Sequence, residues 1–116
     1  MQAQPTPGLR RPAIERALTY IEQHLSDPLP LDVLASAAGL SVWRFSTVFR
    51  RCVGAPPHRY ICERRVRRAQ TMLGRGMPAA LAATEAGFYD QSHLARHFKS
   101  VCGMTPGAYL AHLRAA

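Results

Sequence analysis

Apolar residues recur along this chain at helical spacing and nowhere in a sustained period-two alternation. Ile14, Leu18, Ile21 and Leu25 fall at i, i+4, i+7 and i+11, which predicts a helix from Ala13 with one apolar stripe, ended by Asp27-Pro28. Asp32 reads as the N-cap of a short helix carrying Val33, Leu34, Ala35, Ala37 and Ala38 and stopped at Gly39. Ser41 caps the next helix, where Trp43, Phe45, Val48 and Phe49 are the large apolar residues and Gly54 closes the run. Pro57 suits the first turn of a longer helix. Ile61, Cys62, Val66, Ala69, Met72 and Leu73 line one side of it, Arg59, Arg64, Arg67 and Arg68 much of the rest, and Gly74 and Gly76 end it. An Ala-rich helix over 79–86 stops at Gly87, and Asp90 caps another through about Val101. Thr105-Pro106 starts a last one with Tyr109, Leu110 and Leu113 as its apolar side. No strand is predicted. Residues 1–12, MQAQPTPGLRRP, read as a flexible lead or the remnant of a linker.

A repeat lies inside this pattern. Phe49, Gly54, Pro57 and Tyr60 recur 49 positions later as Phe98, Gly103, Pro106 and Tyr109. Ala35, Ala38 and Gly39 recur 48 positions later as Ala83, Ala86 and Gly87. The one-residue difference falls in the turn between the two helices of each copy. Two copies at this spacing are too few for a stacked solenoid and read as one module used twice. A short helix, a Gly-containing turn and a second helix that carries cations make a helix-turn-helix.

Charge sharpens the reading. Lys and Arg total 15 against 7 Asp and Glu, a formal net charge of +8, and every cation but Lys99 is an arginine. A genome rich in G+C explains Arg over Lys but not the shortage of acids. The balance favours an anionic polymer over a small neutral substrate, and the arginine fork suits phosphate oxygens and guanine edges. Apolar residues make up 47% of the chain, enough for a core. No apolar run reaches the roughly 20 residues needed to span a bilayer, and no signal peptide is recognised. No membrane association is expected, and a cytoplasmic location is. Cys52, Cys62 and Cys102 form no CxxC pair, so no disulfide framework is expected.

The stretch GFYDQSHLARHFKSVCGMTP over 87–106 resembles the signature of the AraC/XylS family of bacterial transcription regulators. The family pattern runs Gly-Phe-x-Asp-Gln-Ser-His-Phe/Leu-x-Arg-x-Phe-Lys, then Gly-x-Thr-Pro and an aromatic. Here Gly87, Phe88, Asp90, Gln91, Ser92, His93, Leu94, Arg96, Phe98, Lys99, Gly103, Thr105, Pro106 and Tyr109 supply it in order. The resemblance extends over about 13–113. It implies an all-α fold of about seven helices: two helix-turn-helix lobes, over 13–56 and 76–116, joined by a long connecting helix over 57–75. It further implies a sequence-specific regulator that places two recognition helices in successive major-groove segments of double-stranded DNA, with RNA polymerase as a protein partner.

The recognition helices are expected at about 42–52 and 91–101. Base-reading positions carried over from the family are Trp43, Arg44, Ser46 and Thr47 in the first and Gln91, Ser92, Ala95 and Arg96 in the second. Arg96 suits guanine and Gln91 adenine. Ser46 and Thr47 are shorter than in many relatives, which leaves Trp43 to meet a thymine methyl. Arg50, Arg51, His97 and Lys99 are expected at phosphates, which set register but carry little sequence information. A connecting helix of about 17 residues is roughly 26 Å long. Major-groove segments on one DNA face repeat every ~34 Å, so a rigid link shorter than that predicts a bent duplex. Most family members add an effector-binding or dimerisation domain. None is expected within these residues, as in a stand-alone regulator or a fragment.

Other chemistries are poorly supported. His93 and His97 are spaced i, i+4, as are His58 and Cys62, a spacing two metal ligands could use, but Leu94 stands where a zinc-protease HExxH has its Glu, and no metal site is expected at either pair. His93 reads as a structural, hydrogen-bonded residue. No nucleophile–base pair, phosphate loop or paired carboxylate stands out, so neither catalysis nor a cofactor is expected. The competing reading is a small basic helical module that binds another protein, such as an RNA polymerase-binding adaptor.

Overall fold

The computed structural model describes residues 11–115, and every regular element among them is a helix. These are α1 (Pro12–Gln23), α2 (Leu31–Ala38), α3 (Val42–Val53), α4 (Pro57–Gly74), α5 (Ala79–Ala86), α6 (Gln91–Cys102) and α7 (Pro106–Ala115). The lead expected over 1–12 lies outside the described residues apart from Arg11 and Pro12. The chain divides into two compact units at Ile61–Cys62. The division falls inside α4, within the segment read from the sequence as a separate connecting helix over 57–75. At 18 residues α4 is about 27 Å long.

The first unit is built on the stripe of α1. Ile14, Ala17, Leu18 and Ile21 are buried with Leu25, Leu29, the α2 residues Leu34, Ala35 and Ala38, and Phe45, Val48 and Phe49 of α3. Ile61, in the second turn of α4, completes this core. Phe49 meets Phe45 at 5.4 Å and the Tyr60 ring edge-on at 5.6 Å. Two ends differ from expectation. Helix α1 stops at Gln23, a turn before Asp27-Pro28. His24 Nδ1 lies 2.9 Å from the Tyr20 carbonyl, and the two rings stack at 4.0 Å. The His24 amide donates to the Ile21 carbonyl at 3.1 Å, a tighter closing turn than the helix before it. Helix α2 starts before Asp32. Pro30 is its N-cap, and the Pro30 carbonyl accepts from the amides of Val33 and Leu34. Asp32 sits in the first turn, where its carboxylate accepts from the Val33 amide at 2.9 Å and faces the positive end of the helix.

The second unit repeats the plan with different side chains. Ala82, Ala83 and Ala86 of α5 are fully buried, and Phe88, Leu94 and Phe98 supply the bulk those alanines lack. Val66, Ala69 and Leu73 of α4 close the core. Phe98 meets Tyr109 of α7 edge-on at 5.5 Å, the counterpart of the Phe49–Tyr60 contact. Each helix-turn-helix turn is made the same way. Gly39 and Gly87 take φ of 73° and 104°, a left-handed conformation that costs a side-chain-bearing residue. The following amides, of Leu40 and Phe88, donate back to the carbonyls of Ala35 and Ala83 at 3.0 and 2.8 Å.

Candidate nucleic-acid interface

Helices α3 and α6 start from side-chain caps. Ser41 Oγ accepts from the Arg44 amide at 3.2 Å, and Asp90 Oδ1 accepts from the His93 amide at 2.8 Å. Each cap satisfies an amide that the helix itself leaves open. The buried face of α3 is Phe45, Val48 and Phe49, and that of α6 is Leu94 and Phe98. The opposite faces are therefore committed to solvent or to a partner.

On α3 that face carries Trp43, Ser46, Thr47, Arg50 and Arg51, which together line one shallow groove of about 520 Å³. Trp43 is 74% exposed, well outside the core. Arg44 is exposed beside it, and Ser46 is half-buried. The Thr47 hydroxyl donates to the Trp43 carbonyl at 3.1 Å, so it reaches outward only as an acceptor, with its methyl. Shifted by the 49-residue repeat, the same face of α6 carries Ser92, Ala95, Arg96 and Lys99. Ser92, Arg96 and Lys99 are exposed and Ala95 is half-buried. Gln91 is exposed in the first turn. Neither helix contains a carboxylate, so the cations stand unneutralised by their own helix. Arg50, Arg51 and Lys99 also sit in the last turns, where the helix dipole favours positive charge.

His97 does not join these cations. It is half-buried, with Nδ1 3.0 Å from Cys62 Sγ on α4. Its ring stacks on Phe88 at 5.7 Å and meets His93 at 4.7 Å. Burial, with smaller contributions from His93 and Arg96, holds its pKa below the usual imidazole range. Burial pushes the Cys62 thiol pKa up against the opposing pull of Arg65. Through these contacts His97 braces α6 against α4, a setting unlike that of the exposed Arg50, Arg51 and Lys99. His93 is structural as expected, accepting the Tyr89 amide at 3.1 Å and lying edge-on to Phe88. Among the described residues no three His, Cys, Asp or Glu side chains gather as a metal site. No helix among them is long and apolar enough to cross a membrane.

One exposed residue escaped the sequence reading. Tyr89, in the turn before α6, is 86% exposed. The signal for it was present as the extra residue in the second copy of the turn.

Comparison with known proteins agrees with this architecture. The family model described as a helix-turn-helix domain matches residues 34–112, from α2 into α7. The activator AarP of Providencia stuartii is 32% identical over 97 residues, which cover 83% of this chain and 72% of AarP. The probable transcriptional regulator LumQ of Photobacterium leiognathi is 32% identical over 96 residues, 82% of this chain but only 39% of LumQ. A putative AraC-like regulator of Streptomyces antibioticus is 33% identical, and 35% of its length is covered. This chain thus spans about two fifths or less of these last two relatives. Among solved structures, the DNA-binding domain of the transcription factor AdpA, in complex with a target DNA, superposes with a TM-score of 0.84. It is 28% identical, with 89% of this chain and 94% of that chain covered. With a repeated helix-turn-helix, two capped second helices and these relatives, the chain belongs to the AraC/XylS family of helix-turn-helix transcription regulators.

Proposed function

We propose that this chain binds double-stranded DNA sequence-specifically as a transcription regulator, with α3 and α6 each entering a major-groove segment. The observation that carries the reading is the pair of exposed, carboxylate-free faces at equivalent positions of a repeated motif. One presents Trp43, Thr47, Arg50 and Arg51, the other Ser92, Arg96 and Lys99. The AdpA domain was solved on its target DNA, which supports the same class of ligand here.

The two lobes would read differently. Arg96 occupies the position that Thr47 holds in the first copy. Its guanidinium can donate a bidentate pair to guanine O6 and N7, and Gln91 can pair with adenine N6 and N7. Thr47 and Trp43 offer a methyl and an indole face, suited to thymine methyl groups. Arg44 and Ser46 flank them, and Ser92 and Ala95 flank Arg96. Arg50, Arg51 and Lys99 would hold phosphates and set the register. Activation would add a contact with RNA polymerase, and a DNA ligand fits a cytoplasmic location.

Selection of bound sites from random-sequence DNA tests the reading. The expected consensus is bipartite and non-palindromic, as for one chain with two unlike readers. On the selected duplex, log K should fall against log salt with a slope of about −5 or steeper, as when six or more phosphates are neutralised. No enriched sequence and a flat salt response would favour a protein-binding module instead.

A further inference from the structure

The two helix-turn-helix copies differ by one residue, and the difference lies in their turns. In the first, Gly39 and Leu40 lead to the cap Ser41. In the second, Gly87, Phe88 and Tyr89 lead to the cap Asp90. Leu40 and Phe88 are equivalent, since each amide closes the helix before it. Tyr89 is therefore the added residue. Its backbone is pinned: the amide donates to His93 Nδ1 at 3.1 Å, and His93 is itself held edge-on against Phe88 at 5.4 Å. Its side chain remains in solvent, 86% exposed, and among the described residues the ring and hydroxyl make no hydrogen bond or ring contact. An aromatic side chain on a fixed backbone loses little freedom when it binds. Tyr89 stands directly before the cap of α6, beside Gln91 and Ser92. In a helix-turn-helix that end of the second helix enters the groove, where the phosphate strand runs past its lip.

We infer that Tyr89 is a neutral backbone contact of the second lobe, its hydroxyl donating to a phosphate oxygen of the strand that flanks α6. Tyrosine hydroxyls are among the groups that bond DNA phosphates. The inference rests on the DNA-binding reading above. It assigns the inserted residue to affinity and register, and base discrimination to Gln91 and Arg96.

The test compares wild type, Tyr89→Phe and Tyr89→Ala by fluorescence anisotropy. The probes are a duplex recovered by selection and a random duplex of the same length, each across a salt series. Tyr89→Phe should bind both duplexes about tenfold more weakly, the scale of one hydrogen bond to a charged group. Its salt slope should match that of wild type, because a phenol displaces no counterion. Tyr89→Ala should lose at least as much. Unchanged affinity in Tyr89→Phe overturns the assignment, as does a loss confined to the selected duplex. Failure of wild type itself to bind either duplex overturns the DNA-binding reading together with this inference.

Discussion

Replacing Arg96 with alanine separates base reading from general attraction to DNA. The side chain is exposed on α6, opposite the buried Leu94 and Phe98. Its removal opens no cavity, and a surface change of this kind moves stability by no more than about 0.5 kcal/mol. The guanidinium is one of the charges that lower the His97 pKa, so the variant lets His97 titrate slightly nearer its ordinary range. The effect on binding should be far larger. A bidentate arginine–guanine pair discriminates by roughly 1–3 kcal/mol, which converts to about 5–150-fold in affinity. The assay is anisotropy on the selected duplex and on every single-base variant of it. Arg96→Ala should flatten preference at one base pair in the half-site read by α6 and leave the rest of the matrix intact. A loss spread evenly over all duplexes, or an unchanged matrix, would refute Arg96 as a base reader.

Phe98→Ala should cost about 3–5 kcal/mol, since the ring is fully buried on the core face of α6 and packs against Tyr109. Urea unfolding followed by circular dichroism checks this, and a cost below about 1 kcal/mol would contradict the packing described. The His97 pKa is lowered in the folded chain, below the value of about 6.5 for a free imidazole. Between those two values the unfolded chain binds more protons, so stability rises with pH across that window and is lost as pH falls through it. Melting temperature should therefore drop as pH is taken from 7 toward 5, and His97→Gln should make the drop shallower. A drop of equal steepness in both proteins would remove His97 as its cause.

Much of this organisation was legible in the residues because its causes are local. Ser41 and Asp90 cap because a short oxygen side chain precedes an amphipathic run. Gly39 and Gly87 mark turns because a left-handed residue is needed there. The exposed positions of α3 and α6 follow from helical period once Phe45, Phe49, Leu94 and Phe98 are assigned to the core. The features that escaped depend on contacts the period does not encode. His97 falls near Arg96 and Lys99 in sequence, and its contacts with the Cys62 thiol, 35 residues away, and with the Phe88 ring are not written in that spacing. The early end of α1 coincides with a contact of the His24 ring with the Tyr20 carbonyl, which the apolar stripe does not announce. Tyr89 was hidden in plain view, because an inserted residue breaks the very repeat used to find the site.

Hydroxyl-radical footprinting of the wild-type chain on its selected duplex addresses the two-reader account most directly. Two protected patches on one face of the duplex, centred about one helical turn apart, are predicted. One patch of single-lobe width, unchanged by Arg96→Ala, would contradict it.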